Sequence, residues 1–431
     1  MIGPGRESVP RPHTGSYYAA SRNDATDYGQ LSGEQRADIC VIGAGFTGVS
    51  TALHLAERGY KVTVLEANKV GWGASGRNGG QMIAGISGEQ RIARQMGRHV
   101  EEVFRELRWA GHRIIRERVE KYAIQCDLKY GYLDVAIKPR HLRQQEADCA
   151  RLQRDNLPFE VRMLSRAETA ATIGTDAYLG ALLNMGNGHL HPLNLCAGEA
   201  RAAVSLGTTI HEASPVLRIE HGATARVITE HGAVSADTVI LAGNAYHTLE
   251  HQLRGIMFPV NSFIIATEPL PAETVARINP RDLAVCDPNF VLEYFRLSAD
   301  KRLLFGARLN YAGDDPDVIQ KSHRAKMARL YPELADVRID YAWGGRIGVP
   351  INRVPQMGRV ASNVFYCQGY SGHGVNVTHL AGQILADAVA GTMERFDLFA
   401  GVKPVRIPGA YRFAGPMVSL GMLYYRIKDR L

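Results

Sequence analysis

The chain has 431 residues, 45% hydrophobic and 22% charged, with a formal net charge of +7. This is a globular composition with room for two or three structural units. Its basic residues are scattered, without the Lys/Arg blocks and interleaved aromatics of a nucleic-acid binder, so no nucleic-acid partner is expected. The six cysteines lie far apart with no C-x-x-C, which argues against a zinc ribbon or a disulfide scaffold and fits a reducing, cytoplasmic setting. No secretory h-region and no long apolar run is read, so neither a signal peptide nor a transmembrane helix is expected.

Residues 1–36 are polar and rich in Gly, Pro and Ser, and read as an irregular arm anchored by Tyr17 and Tyr18. Ala37 to Ala67 then reads as strand, glycine turn, helix and strand. Ile39, Val41 and Ile42 suit a buried parallel strand. Gly43, Gly45 and Gly48 follow in G-x-G-x-x-G spacing, and Glu66 ends the second strand. In that context the motif predicts dinucleotide binding. Gly43 permits the tight turn, Gly45 admits a pyrophosphate against the backbone, and Gly48 lets helix and strand pack closely. The helix N-terminus offers free N–H groups to phosphate. A carboxylate at Glu66 suits a ribose with a free 2′-OH and disfavours NADP.

Val70 to Gly88 carries seven glycines in nineteen residues, as a loop laid directly against a flat or charged ligand would. Glu89 to Tyr122 has helical period, with a stripe of Val100, Val103, Phe104, Leu107, Ile114, Ile115 and Val119. Leu128 to Ile137 reads as a strand and Arg140 to Leu157 as a helix. Gly180 to Pro192 reads as a loop leading into a helix from about Leu193 to Ser205. His189 and His191 read as structural, since no set of further ligands completes a metal site. Thr208 to Ile228 reads as two strands and Ala236 to Ala242 as a buried strand ending at Gly243. Phe258 to Thr267, Val291 to Leu297 and Arg302 to Ala307 alternate like antiparallel strands. Val364 to Cys367 reads as a strand and Val375 to Val389 as a helix opened by Gly369 to Gly374. Phe413 to Leu431 is amphipathic, a packed helix or a weak membrane-surface contact.

These elements predict an α/β architecture: a Rossmann-like dinucleotide-binding domain with an inserted α+β substrate domain built on an antiparallel sheet. The expected division is 1–36 arm, 37–88, 191–250 and 343–400 dinucleotide-binding, 89–190 and 251–342 substrate domain, and 401–431 tail.

The segments VIGAGFTG, ASGRNGGQ, TVILAGNAY and YCQGYSGHGVNVTHLAG together resemble the D-amino-acid-oxidase-like family of FAD-dependent amine oxidoreductases, and within it the γ-glutamylputrescine oxidoreductases. The resemblance runs through nearly the whole chain, including SYYAA, GHLHPLNL, YFRLSADKRLLFGAR and WGGRIGVPINRVPQMG. It implies FAD on Gly43, Gly45, Phe46, Thr47, Gly48, Glu66 and Ala67, then Gly73, Ala74, Ser75, Arg77, Asn78, Gly79, Gly80 and Gln81. It also implies Val216, Ala242, Gly243, Gly345, Gly369, Ser371, Gly372, His373, Gly374 and Val375. The Gly-Gly-Arg-Ile-Gly-Val stretch, where related sarcosine oxidases carry a flavin-linking Cys, has none here, which implies non-covalent FAD. The implied reaction is C–N oxidation by hydride transfer from a neutral amine to flavin N5, with hydrolysis of the imine. The implied substrate is γ-glutamylputrescine or a related polyamine derivative, with oxygen or another electron acceptor as partner.

Candidate residues around the reacting amine are Tyr294, Arg296, Trp343 and His373. Arg296 is either a ligand for a substrate carboxylate or a structural ion pair. Trp343 is either a pocket wall or core, and His373 either a donor over the pocket or a turn closer. Two other readings stand beside this one. One is a D-amino-acid or glycine/sarcosine dehydrogenase feeding a membrane quinone chain; the other is a non-catalytic flavoprotein.

Overall fold

The computed structural model describes residues 10–97, 99–246, 249–289, 292–307 and 316–406. Two sheets organise the chain. The first is laid down where strand-forming runs are apolar on both faces. Gly33–Ile42 pairs in parallel with Val62–Leu65 on one side and Gly232–Leu241 on the other. Thr209–His211 and Val364–Gln368 extend it in parallel, and Gln356–Ala361 closes one edge antiparallel. Ile39 and Val41 face one core with the helices Phe46–Ala56, His99–Lys121 and Gly374–Val389. Cys40 and Ile42 face a second, with Leu65, Val227 and Val239. Burial on both faces explains why the strand reads as a continuous apolar run.

The second sheet is mostly antiparallel. Its order is Ile339–Pro350, Met257–Thr267, Leu303–Ala307, Glu293–Leu297, Ala284–Cys286, Lys129–Ala136, Gly180–His189 and Gln81–Met82. One face is apolar: Leu133, Val135, Phe263, Phe295 and Phe305 share a core with Ile319 and Met327 of the Pro316–Leu330 helix. The alternate residues Tyr132, Asp134, Leu182 and Tyr294 face a cleft.

Several expectations are corrected. Gly180 to Pro192 is not a loop: Gly180–His189 is a central strand, paired with Lys129–Ala136 and Val161–Leu164. Its glycines serve close approach, because a Cβ on Gly188 would collide with the Lys129 carbonyl and one on Gly186 with the Phe159 ring. The helical stretch from Glu89 is two helices, Glu89–Met96 and His99–Lys121, separated at Gly97 with φ +94°. Both belong to the core beside Gly374–Val389 rather than to the second sheet. Val103 of the expected stripe is exposed. Thr208 to Ile228 holds three short strands rather than two. The expected boundary at 343 cuts through Ile339–Pro350, which pairs along its length with Met257–Thr267. The amphipathic tail from Phe413 lies outside the described residues. Among those described, no helix is long and apolar enough to cross a membrane.

The arm is anchored as expected. Tyr17 and Tyr18 lie in the single turn Tyr17–Ala20 and are buried. The Tyr18 ring meets Trp343 and His191 edge-on.

Candidate active site

A cleft of about 1610 Å³ runs between the two sheets. Ligand sites commonly measure about 300–1,000 Å³, so this one has room for a large cofactor and a substrate together.

At one end the G-x-G-x-x-G turn meets its expected duties. Gly43 has φ +105°, and a Cβ there would sit 3.0 Å from the Ala242 carbonyl. A Cβ on Gly48 would collide with the Gly43 carbonyl, so Gly48 sets the helix against the strand and does not line the cleft. Gly45 caps the Phe46–Ala56 helix with no side chain of its own; Ser75 Oγ accepts from Phe46 N at 2.8 Å instead. Thr47 Oγ1 meets Tyr370 Oη at 2.7 Å. Glu66 accepts from Ala44 N at 2.8 Å and Asn68 N at 2.9 Å, and burial pushes its carboxyl above the usual range. Ala67, Val216, Ala242 and Gly243 line this end as well.

The glycine-rich loop comes next. Gly73, Ala74, Ser75, Arg77, Asn78, Gly79 and Gln81 line the cleft. Asn78 braces the loop, donating to Ala74 O and Ser75 O and accepting from Gly80 N. Arg77 Nε donates to Trp72 O at 2.7 Å, with the guanidinium 4.1 Å over the Trp72 ring. Gly80, at φ +71°, packs against the Leu190 carbonyl behind the lining.

The third wall is the N-terminus of Gly374–Val389. Ser371, Gly372, His373, Gly374 and Val375 line the cleft there, with Gly345 opposite. The helix has no side-chain cap, and a Cβ on Gly374 would meet nothing closer than 3.9 Å. An open helix N-terminus facing a cleft is suited to stabilise negative charge. Gly369, at φ +80°, is packed against Pro350 and only shapes the turn. His373 is exposed at the cleft mouth.

Of the candidates around the reacting amine, Tyr294 and His373 line the cleft and Arg296 and Trp343 do not. Tyr294 lies against Gly79, with its hydroxyl 3.3 Å from Ser262 Oγ. Arg296 is 4% exposed and its N–H groups are taken. Nε donates to Gly79 O (2.7 Å), Nη2 to Leu190 O (2.8 Å) and Tyr18 Oη (3.0 Å), and Nη1 to Leu297 O (3.0 Å) and towards His189 Nδ1 (3.5 Å). It is therefore neither a carboxylate ligand nor half of an ion pair. It is a clamp that ties the glycine-rich loop to the second sheet. Tyr294 and Arg296 lie on the same face of Glu293–Leu297, opposite Phe295 and against the glycine-rich loop, but Arg296 is tied beneath that loop and only Tyr294 reaches the cleft. Trp343 is core, and its indole N–H holds the Arg77 carbonyl at 3.0 Å.

His189 and His191 are structural. His189 Nε2 bonds the Asp282 carbonyl at 2.7 Å, and His191 Nδ1 accepts from Asn194 N at 3.1 Å to cap the next helix. Burial, then Arg296, lowers His189 to about 4 and His191 to about 3.

The far end of the cleft was not anticipated. Asp134, Asp148 and Arg151 line it, and Asp287 and Asn187 lie in the same wall. Burial, then the Asp148 charge, pushes Asp134 up to about 7; burial takes Asp287 to about 7. One signal was present: in Leu128 to Ile137 the period of two puts Tyr132 and Asp134 on the face opposite Leu133 and Val135.

The geometry defines a class: a two-sheet fold of dinucleotide-binding type, with a long cleft running from Glu66 to a charged far wall. The model of the family described as "FAD dependent oxidoreductase" (DAO) matches residues 38–388. The chain belongs to that family and is an FAD-dependent oxidoreductase. It is 40% identical over 97% of its length to the γ-glutamylputrescine oxidoreductase of Escherichia coli K12, covering 99% of that protein. It is 39% identical over 97% of its length to a probable oxidoreductase OrdL of Haemophilus influenzae, covering 98% of it. Among solved structures, the glycine oxidase of Geobacillus kaustophilus superposes with a TM-score of 0.69 at 21% identity, over 86% of this chain and 99% of that one. That likeness concerns the fold. The glycine cradle at 43–48, the half-buried Glu66 and the open helix end at Gly374 fit FAD.

Proposed function

We propose that the protein oxidises the terminal amine of γ-glutamylputrescine, with non-covalent FAD. The observation that carries this reading is the 40% identity, over nearly the full length of both chains, to a γ-glutamylputrescine oxidoreductase. Bound FAD supplies the two-electron oxidising power. Gly43, Gly45 and Glu66 would hold its ADP half and the 73–81 loop its middle, while the N–H groups of Gly372 and Gly374 would face the ring, those of Ser371 and His373 being spent on Gly348 O and Tyr370 O. The chain's own residues then bind and orient the amine. Tyr294, fixed between Gly79 and Ser262, walls the reacting end. Desolvation of the amine when cofactor and substrate fill the cleft would favour its uncharged form, so no strong base is required. The amine carbon loses a hydride and the nitrogen a proton, giving an imine. Water then converts the imine to aldehyde and ammonia. The two electrons pass on to oxygen or another acceptor. The dinucleotide-binding and substrate-binding duties divide between the first and second sheets.

The test is anaerobic mixing of the holoenzyme with γ-glutamylputrescine, putrescine, glycine, sarcosine and D-amino acids while flavin absorbance is followed. Rapid bleaching by γ-glutamylputrescine is the expected result, and readmitted air then separates oxidase from dehydrogenase. Bleaching by the amino acids alone sinks the substrate reading in favour of a dehydrogenase, and no bleaching by any of them favours a non-catalytic role.

A further inference from the structure

The second sheet contains a built-in ruler. Tyr294 pairs with Cys286, Cys286 with Asp134, and Asp134 with Leu182, so these residues form one row across four strands. Directly paired residues project from the same face, with strands about 4.8 Å apart. Asp134 therefore lies about 10 Å along the cleft wall from Tyr294. In γ-glutamylputrescine, eight bonds separate the oxidised carbon from the glutamyl α-carbon, about 10 Å when extended.

What waits at that distance is charged and incompletely partnered. Among the described residues Asp134 has no ion-pair partner. Beside it lies Gln145, 2% exposed, whose amide makes no hydrogen bond of normal length yet sits close enough to Asp134 to favour its charged form against the larger effect of burial. Gln145 belongs to the Pro139–Arg154 helix. Asp148 and Leu152, three and seven residues on, share its face and line the cleft, so Gln145 is turned the same way. Arg151 is steered by one contact, Nη2 to Asp148 Oδ1 at 3.0 Å. A buried amide left without a normal hydrogen bond costs stability unless a ligand completes it, and the half-buried Asp134 beside it has no cation among the described residues to balance its charge.

We propose that Asp134 and Arg151 form the subsite for the amino-acid head of the substrate, Asp134 receiving its α-ammonium and Arg151 its α-carboxylate. This rests on the γ-glutamyl reading above. Gln145 supplies neutral hydrogen bonds at the same end, and Asp148 holds Arg151 in place. Specificity then comes from the match between head chemistry and distance, while the reacting end contributes only a wall.

The experiment compares kcat/KM for four amines: γ-glutamylputrescine, N-glutarylputrescine (no α-ammonium), N-(4-aminobutanoyl)putrescine (no α-carboxylate) and N-acetylputrescine (neither). The holoenzyme, Asp134→Asn and Arg151→Leu are assayed, each normalised to flavin content. Asp134→Asn is expected to lower the preference for γ-glutamylputrescine over the glutaryl amide by about 10- to 100-fold. Arg151→Leu is expected to lower the preference over the aminobutanoyl amide to a similar degree. Each ratio is internal to one preparation, so a general loss of folding cancels. Unchanged ratios in both variants, with γ-glutamylputrescine still turned over by the parent enzyme, overturn the subsite alone. No turnover of γ-glutamylputrescine by the parent enzyme overturns the substrate reading and the subsite with it.

Discussion

The two ends of the cleft recognise by different means. At the end proposed for the ribose the cleft offers backbone: glycines that remove side chains, amides at a helix N-terminus, and one carboxylate held by two neighbouring N–H groups. At the far end it offers side chains from a strand and a helix, Asp134 and Arg151, whose positions depend on register across the second sheet. Backbone recognition tolerates almost no substitution because added atoms strike main chain. Side-chain recognition tolerates substitution but changes what is bound. Arg296 sits between the two regimes, a charged residue used as scaffold.

The largest effect tests the backbone end. Gly48→Ala puts a methyl into the Gly43 carbonyl, and neither helix nor strand can retreat, since both faces are packed. A loss of about 3 kcal/mol is expected, read as insoluble or flavin-free protein by absorbance. A yellow, stable Gly48→Ala would break the contrast between the two ends.

Arg296→Met comes next. It leaves the Gly79, Leu190 and Leu297 carbonyls and the Tyr18 hydroxyl without their donor. An unsatisfied buried group costs about 1–3 kcal/mol, so a lowered thermal midpoint and faster FAD release are expected. An unchanged midpoint with a raised KM would return Arg296 to the substrate.

Glu66→Gln is milder. The amide keeps one acceptor for Ala44 or Asn68 and turns an NH₂ towards the other donor. FAD dissociation measured by fluorescence should weaken about tenfold, near 1.4 kcal/mol.

The smallest effect is a pH dependence. Asp134 is raised to about 7 by burial and then by Asp148; Arg151 faces it from the same helix, and Tyr132 and Asp287 from the sheet. A carboxyl whose folded pKa is raised binds its proton more tightly when folded. Stability is therefore lost as pH rises from the unfolded value near 4 to about 7. Asp134→Asn removes that loss. Its thermal midpoint should exceed the parent's by roughly 2–4 °C at pH 8, with the gap closing towards pH 4. An equal midpoint at pH 8 would show that Asp134 carries no buried charge.

Much of the cofactor end was legible because its chemistry is local. Gly43, Gly45, Gly48 and Glu66 lie within 24 residues, and their spacing encodes turn, helix start and strand tip. The turn at 369–374 was legible for the same reason, with positive φ at Gly369, Ser371 and Gly372. The strand at Gly180–His189 was misread because its glycines were taken as loop formers. In three dimensions they make room for Lys129 and Phe159.

What the amino-acid order determined by itself was the βαβ unit, the flavin-type loops and the alternation that splits Leu133 and Val135 from Tyr132 and Asp134. Only the tertiary structure decided that Arg296 and Trp343 serve as supports and that Asp134, Asp148 and Arg151 meet at the far end. The reason is physical. A periodic pattern tells which face a residue occupies, but whether a charged side chain is saturated or left open depends on packing. Arg296 is saturated by Tyr18, Gly79 and Leu190, a hundred or more residues earlier, while Asp134 meets Asp148 and Arg151 through the way the next helix lies over its strand.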